Sequence, residues 1–395
     1  MSAAASSAES TANRTPVDWG VAVSTAQTLM KPGPAVPKEE AERTVEQLRE
    51  VTGPAEAHVR GLTGLGEGLP LLPGDVVDRR GWVSAAAEGL STLTEGTLPT
   101  GSNRTVGPVL AGSAGVQAGM VLAYLGGRVL GQYDPFGSPA NGTEDGADNG
   151  TDNGPDNGPD NGPEDATDTG SGEHRGRLLL VAPNIIAAQR ALDVPAEDFR
   201  MWVCLHECTH RLQFTAVPWL RGYFAGEVRR FLSGLDETAT NAFSRLPDMI
   251  RAARRRAEGE TGSGGSIGLM EILQSPQQRE VFDRLIALST LLEGHADHVM
   301  DAVGPAVVPS VATIRARFTA RRRGGGLLDR ILRAVLGVDA KVKQYAVGAA
   351  FTRHVVDAVG MDGFNAVWTS PETIPLRAEM SDPAAWVRRV HGRAG

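Results

Sequence analysis

Two histidines and a glutamate carry the chemistry that stands out in this chain of 395 residues. The segment WVCLHECTHRLQF, residues 202–214, contains His206-Glu207-Cys208-Thr209-His210. Residues four apart share one face of a helix, so both imidazoles can point at a single metal ion. Glu207 follows His206 directly. It sits a fraction of a turn round the helix, near the same site without being forced into the coordination sphere. Its carboxylate can then hold and deprotonate a water whose pKa the metal has lowered, and return the proton to a leaving group. That chemistry is hydrolysis at a carbonyl, with zinc as the expected ion and a peptide or small amide as the expected substrate class.

Two histidines leave a catalytic zinc one protein ligand short. The segment LLEGHADHVMD, residues 291–301, has Glu293, His295, Asp297, His298 and Asp301 on an otherwise apolar helix. Glu293 and Asp297 share a face by their spacing. One can bind the metal while the other orients a ligand histidine through its free ring N–H. Glu293 is preferred as the third ligand and Asp297 as the orienting group. His295 or His298 is the alternative if that helix is turned the other way, and Glu237 in LDETATN is a weaker rival. For the group that steadies an oxyanion, Tyr345 and His354 are candidates on a downstream helix.

The elements that must hold these residues are mostly helical. Helices are expected from Asp18 to about Leu29, from Pro37 to Val51, in the Gly- and Ala-rich stretch 105–131, and at 185–192. The metal helix opens at Pro195–Asp198, with proline in its first turn and acids behind it. Further helices are expected over 220–257, 268–303, 327–336 and 340–359, then turns and short helices over 368–390. Strand signals are sparse: 75–83 as a short extended piece, and Leu178–Ala182 (LLLVA) as a buried strand ahead of the metal helix. The class is therefore mainly α, with a small β-sheet beside the metal helix.

The formal net charge of -8 is unevenly placed. Residues 141–173 carry ten acidic side chains and no basic one, so the rest of the chain is +2 and the acidity says nothing about the substrate. Asp148–Pro163 repeats Asp-Asn-Gly followed by Thr or Pro. Gly and Pro interrupt regular structure, nothing apolar is available to bury, and the spacing does not fit a helix–loop–helix calcium loop. Residues 1–16 and the insert 137–176 are expected to be disordered. The folded domain spans 17–395, with a helical part at 17–136, the metal-site part at 178–303 and a C-terminal helical part at 304–395.

Cys204 and Cys208 are the only cysteines. Two are too few to staple a chain of this size, which suggests a reducing compartment. The N-terminus lacks the basic-then-apolar pattern of a secretory signal. The longest apolar run, near 116–130, is short and interrupted by glycines and Arg128. These features point to the cytoplasm and to no membrane partner. Arginine clusters at 251–256 and 315–323 lack the aromatic interleaving of a nucleic-acid site and read as solvated faces.

The pairing of LHECTHRLQFTAVPWL with LLEGHADHVMDAVGPAVVPS resembles the actinobacterial zincin-like hydrolase family. Members are called zinc-dependent metalloproteases or are linked to biosynthesis of the deazaflavin redox coenzyme. GQYDPF at 131–136, LLLVAPNI at 178–185 and SPETIPLRAEMSDPAAWV at 370–387 carry the resemblance further, from about Asp18 to Val390, and the acidic insert departs from it. The resemblance implies a mostly helical zincin-like metallopeptidase fold, zinc held by His206, His210 and Glu293, and Glu207 as the catalytic base. Two functions remain in play. One is a zinc metallohydrolase. The other is a non-catalytic zincin fold with structural zinc, acting as a binding partner in coenzyme metabolism.

Overall fold

The computed structural model describes residues 17–95, 108–138, 176–233, 276–323 and 338–392. Within the last of these, side chains are described from Val347 onward. The N-terminal 16 residues, nearly all of the acidic insert, Glu237, and the helices expected at 234–257, 268–275 and 327–336 lie outside these residues.

Eleven α-helices and a three-stranded sheet form the described residues. In chain order they are α1 (Trp19–Leu29), α2 (Lys38–Thr63), β1 (Asp75–Val77), α3 (Arg79–Thr94), α4 (Pro108–Gly126), β2 (Gly131–Asp134) and β3 (Arg177–Val181). Then come α5 (Ala182–Leu192), α6 (Ala196–Thr215), α7 (Pro218–Ser233), α8 (Pro276–Ala302), α9 (Val311–Arg323), α10 (Val338–Phe364) and α11 (Pro383–His391). Two 3₁₀ turns, at Asn365–Trp368 and Pro371–Thr373, precede α11. The mainly helical class with one small sheet holds.

Several boundaries moved for identifiable reasons. Helix α2 does not stop near Val51 but runs on through Pro54 to Thr63. Its buried stripe of Leu48, Thr52, Ala55 and Val59 packs along α6, and that burial outweighs the backbone hydrogen bond a proline removes. At 75–83 only Asp75–Val77 is strand. Asp78 then caps α3 by accepting from Gly81 N at 2.7 Å.

The sheet order is β1-β3-β2, with β1 parallel and β2 antiparallel to β3. Strand β3 is therefore central, and its sequence shows why. Leu178 and Leu180 face the large core built round α6, whereas Leu179 and Val181 face a second core made by α1, α3 and α4. A strand buried on both faces reads as a continuous apolar run rather than an alternation. The strand at the sheet's edge beside α6 is β2, and LLLVA, expected as a buried strand ahead of that helix, is the central one.

Buried Asn184, at the start of α5, fixes where β2 begins. Its side-chain amide donates to the carbonyls of Gly126 and Val129, at 2.8 and 2.7 Å. At the other side of the site, α8 lies against α10 with almost no space between the backbones. A Cβ added to Gly294 would sit 2.1 Å from the Gly348 carbonyl carbon, and one added to Gly348 would sit 2.1 Å from the Thr290 oxygen. Only glycine permits this approach, and it sets the position of the residue next to Gly294, which is Glu293.

Candidate metal centre

Helix α6 is the centre of the larger core. Glu197 and Asp198 occupy its first turn, where carboxylates favour the positive end of the helix dipole, and Asp198 also accepts from Ser310 N at 2.7 Å. Most of its circumference is buried by Phe199, Trp202, Val203, Leu205, Cys208 and Leu212. Buried Glu56 of α2 pairs with buried Arg211, which also donates to Pro73 O at 3.0 Å. These contacts hold the helix rigidly. One stripe, Trp202–His206–His210–Phe214 with Val203 and Glu207 beside it, faces a cavity of about 620 Å³.

In that cavity three donor atoms converge. His206 Nε2 and His210 Nε2 lie 3.1 Å apart, and Glu293 Oε2 lies 3.6 and 3.7 Å from them. Ligands about 2.0–2.1 Å from a tetrahedral zinc stand about 3.3–3.4 Å from each other, so this triangle has the dimensions of one face of a zinc site. Among the described residues His206, His210 and Glu293 form the one group of three potential ligands.

The protonation pattern fits as well. Gln213 donates its side-chain nitrogen to Leu292 O and to His295 Nδ1, both at 3.0 Å. A carbonyl can only accept, so the amide nitrogen must face Leu292 and the amide oxygen must face His210. That oxygen lies 2.9 Å from His210 Nδ1. The Nδ1 therefore carries the hydrogen and the Nε2 lone pair points into the site. His206 Nδ1 lies 3.2 Å from Met300 Sδ, a weak acceptor that favours the same tautomer. Burial lowers the His210 pKa, but the Glu293 hydrogen bond and the charges of Glu293 and Glu207 outweigh it, and the net shift is upward. Such a pocket attracts positive charge, whether proton or metal.

Glu207 is buried beside this group and lines the same cavity. It fits there because β2 offers no side chain at the point of contact. A Cβ on Gly131 would come 2.6 Å from Glu207 Cγ and 2.9 Å from its Oε1. The cavity is walled by β2 on one side and α8 on the other, with α3 and α9 completing it.

A family model for zincin-like metallopeptidases matches residues 17–387. The chain belongs to that family. Among solved structures, a protein from Chloroflexus aurantiacus described as a "putative hydrolase with a novel fold" is similar over 96% of this chain and 100% of its own length, with 29% identity and a TM-score of 0.58. A search of curated protein sequences found no match.

In this zincin-like chain the expected ligands His206, His210 and Glu293 come together, with Glu207 adjoining. Other candidates fall elsewhere. Asp297 shares the cavity face of α8 with Glu293, but its carboxylate is engaged by Arg315, which also pairs with Asp301 at 2.7 Å. The side chain that meets His210 Nδ1 is Gln213, at 2.9 Å, and not Asp297. Arg315 is accordingly no solvated residue, and Arg317 donates to the carbonyls that end α5 at Leu192 and Asp193. His295 points away from the site into the core, ringed by Phe364 and Trp368, where burial first and then the neighbouring His298 and His210 push its pKa down to about 3. As a neutral acceptor it clamps the Gln213 amide. His298 is half-buried, away from the cavity lining, and its pKa is lowered by burial. His354 is exposed and does not line the cavity. The side chain of Tyr345 lies outside the described residues. Cys204 and Cys208 are free but buried, and burial pushes the Cys208 thiol up to about 12, so neither is a ready nucleophile.

Sequence reading missed Gln213, although its spacing of three from His210 on one helix was visible. It yields a direct test. Gln213→Leu is expected to weaken zinc binding by about 10–100-fold, as loss of an outer hydrogen-bond partner does at other histidine–zinc sites. Competition against a chelator measures this. Unchanged affinity in a variant that still folds would remove Gln213 from the site.

Proposed function

We propose that this member of the zincin-like family is a zinc-dependent metallopeptidase. The observation that carries the reading is the triangle of His206, His210 and Glu293 donors facing an open cavity with Glu207 beside them. When bound, a zinc ion supplies Lewis acidity and brings the pKa of water towards neutrality. Glu207 takes the proton from the attacking water as it adds to the scissile carbonyl, and delivers it to the departing nitrogen as the C–N bond breaks. His210, held by Gln213, keeps its donor lone pair aimed into the site. Strand β2, at the edge of the sheet, runs along the cavity and suits an extended peptide.

A structural zinc site is closed by four protein ligands, whereas a catalytic one keeps a position open. Three candidate ligands among the described residues, opening onto a cavity, favour catalysis over a non-catalytic partner in coenzyme metabolism. Two buried free cysteines agree with a cytoplasmic setting, and no described helix is long and apolar enough to cross a membrane.

The test is metal removal. Protein purified without added metal is expected to hold close to one zinc per chain and to cleave members of a peptide library. Chelation is expected to abolish cleavage and zinc to restore it. Failure to bind zinc even after its addition would overturn the reading.

A further inference from the structure

The cavity has two unlike ends. Along α6 it extends from Trp202 to Phe214, about 18 Å at the rise of an α-helix. That is the length of about five extended residues. The metal ligands lie between the ends. Towards Trp202 the walls include the charged pair Arg315 and Asp297, with Thr319 and Phe318. Towards Phe214 they are mainly aromatic, and the one carboxylate among them, buried Asp134, is turned onto its own backbone, where it accepts from Phe136 N at 2.9 Å.

Three phenylalanines from three elements meet at that second end: Phe136 just after β2, Phe214 at the end of α6, and Phe224 of α7. Their ring centroids are 6.1 Å apart for Phe136–Phe224 and 6.2 Å for Phe214–Phe224. All three are half-buried and line the cavity. Tyr133 closes the back, 5.9 Å from Phe214. Leu90 and Leu93 of α3 line the same cavity. The Arg221 guanidinium sits 5.5 Å from the Phe136 ring, on the aromatic wall rather than in an ion pair across the site. Phe214 follows His210 by four residues, so the aromatic end begins one helical turn, about 5.4 Å, from a metal ligand. That is the reach of the side chain flanking a bond held at the metal.

Apolar rings gathered at the mouth of a polar site and left partly open to water mark a place where something apolar binds. We infer that the Phe136–Phe214–Phe224 cluster is the specificity pocket of the enzyme, taking one large apolar or aromatic side chain next to the scissile bond of an extended peptide. The inference rests on the metallopeptidase reading and names its substrate class. At the other end Trp202 and Phe318 already pack on each other, 5.0 Å between centroids, beside the Arg315–Asp297 pair, so the preference is expected on one side of the cleaved bond.

The experiment pairs a peptide-library digest by the zinc-loaded full chain with peptide binding to Glu207→Gln followed by calorimetry. Cleavage products are expected to share Phe, Tyr, Leu or Met at a single position flanking the cut, on one side. In Phe224→Asp and Phe136→Ala the ratio of kcat/KM for a Phe-bearing peptide over its Ala counterpart is expected to fall by about 10–100-fold, the range that apolar pocket contacts discriminate. The Kd of the Phe-bearing peptide for Glu207→Gln is expected to rise when Phe224→Asp is added. Cleavage without side-chain preference, or a preference that both pocket variants leave intact, would overturn the pocket while leaving the metallopeptidase reading in place. Selective binding of Phe-bearing peptides with no cleavage by the wild type would sink the catalytic reading and keep the pocket. Neither binding nor cleavage would overturn both.

Discussion

Glu207→Gln is expected to keep its zinc and to lose turnover by about 10²–10⁴-fold, the usual contribution of a positioned general base. The amide is nearly the size of the carboxylate, so the contact with Gly131, where a Cβ would come 2.6 Å from Glu207 Cγ, survives the change. What disappears is the ability to take a proton from the attacking water. Metal content and single-turnover cleavage on the same preparation separate the two effects. Zinc retained with unchanged turnover would take Glu207 out of the mechanism, and zinc lost would show instead that the carboxylate helps hold the ion.

The second large effect is expected from Glu293→Ala. Glu293 Oε2 is the donor that closes the triangle, 3.6 and 3.7 Å from the two histidine nitrogens. Removing it leaves two ligands, too few for a catalytic zinc site. Affinity is expected to drop beyond the roughly 10–100-fold that loss of an outer hydrogen-bond partner costs. Zinc per chain in protein purified without added metal then falls from close to one to a small fraction. Thermal unfolding of the metal-free forms provides the control, since a change confined to the site leaves the α8–α10 contact intact. Near-full zinc content in Glu293→Ala would assign the third ligand elsewhere, and Glu237 would be the next residue to replace.

These two residues differ in how visible they were. His206, Glu207 and His210 lie within one turn of one helix, and the helical period alone puts the histidines on a common face. Glu293 stands 83 residues beyond His210. Its helix was legible, and so was the face it shares with Asp297. Which face of α8 turns to the metal was not. The Gly294–Gly348 approach and the burial of Leu288, Leu291 and His295 decide that rotation, and each depends on residues from another helix.

Asp297 illustrates the same limit from the other direction. Its spacing from Glu293 was right for a supporting carboxylate. Arg315, from α9, engages that carboxylate, and no pattern within α8 could announce it. Gln213 was as close to His210 in sequence as any candidate. An amide has two ends, however, and only Leu292 O and His295 Nδ1 determine which end meets the imidazole. Strand β2 was passed over because Gly-Gln-Tyr-Asp has little apolar alternation. It forms because the neighbouring β3 supplies hydrogen bonds and Asn184 anchors its start, not because of its own propensity.

By itself the sequence determined the helix that carries His206 and His210, the place of Glu207 beside them, the largely helical class and the buried strand, because each is written in residues a few positions apart. The tertiary structure alone decided which face of α8 brings Glu293 to the two histidines, the tautomer of His210, the edge strand at the site and the aromatic end of the cavity. All four arise where separate elements meet, and it is the packing of side chains from distant segments that sets those contacts.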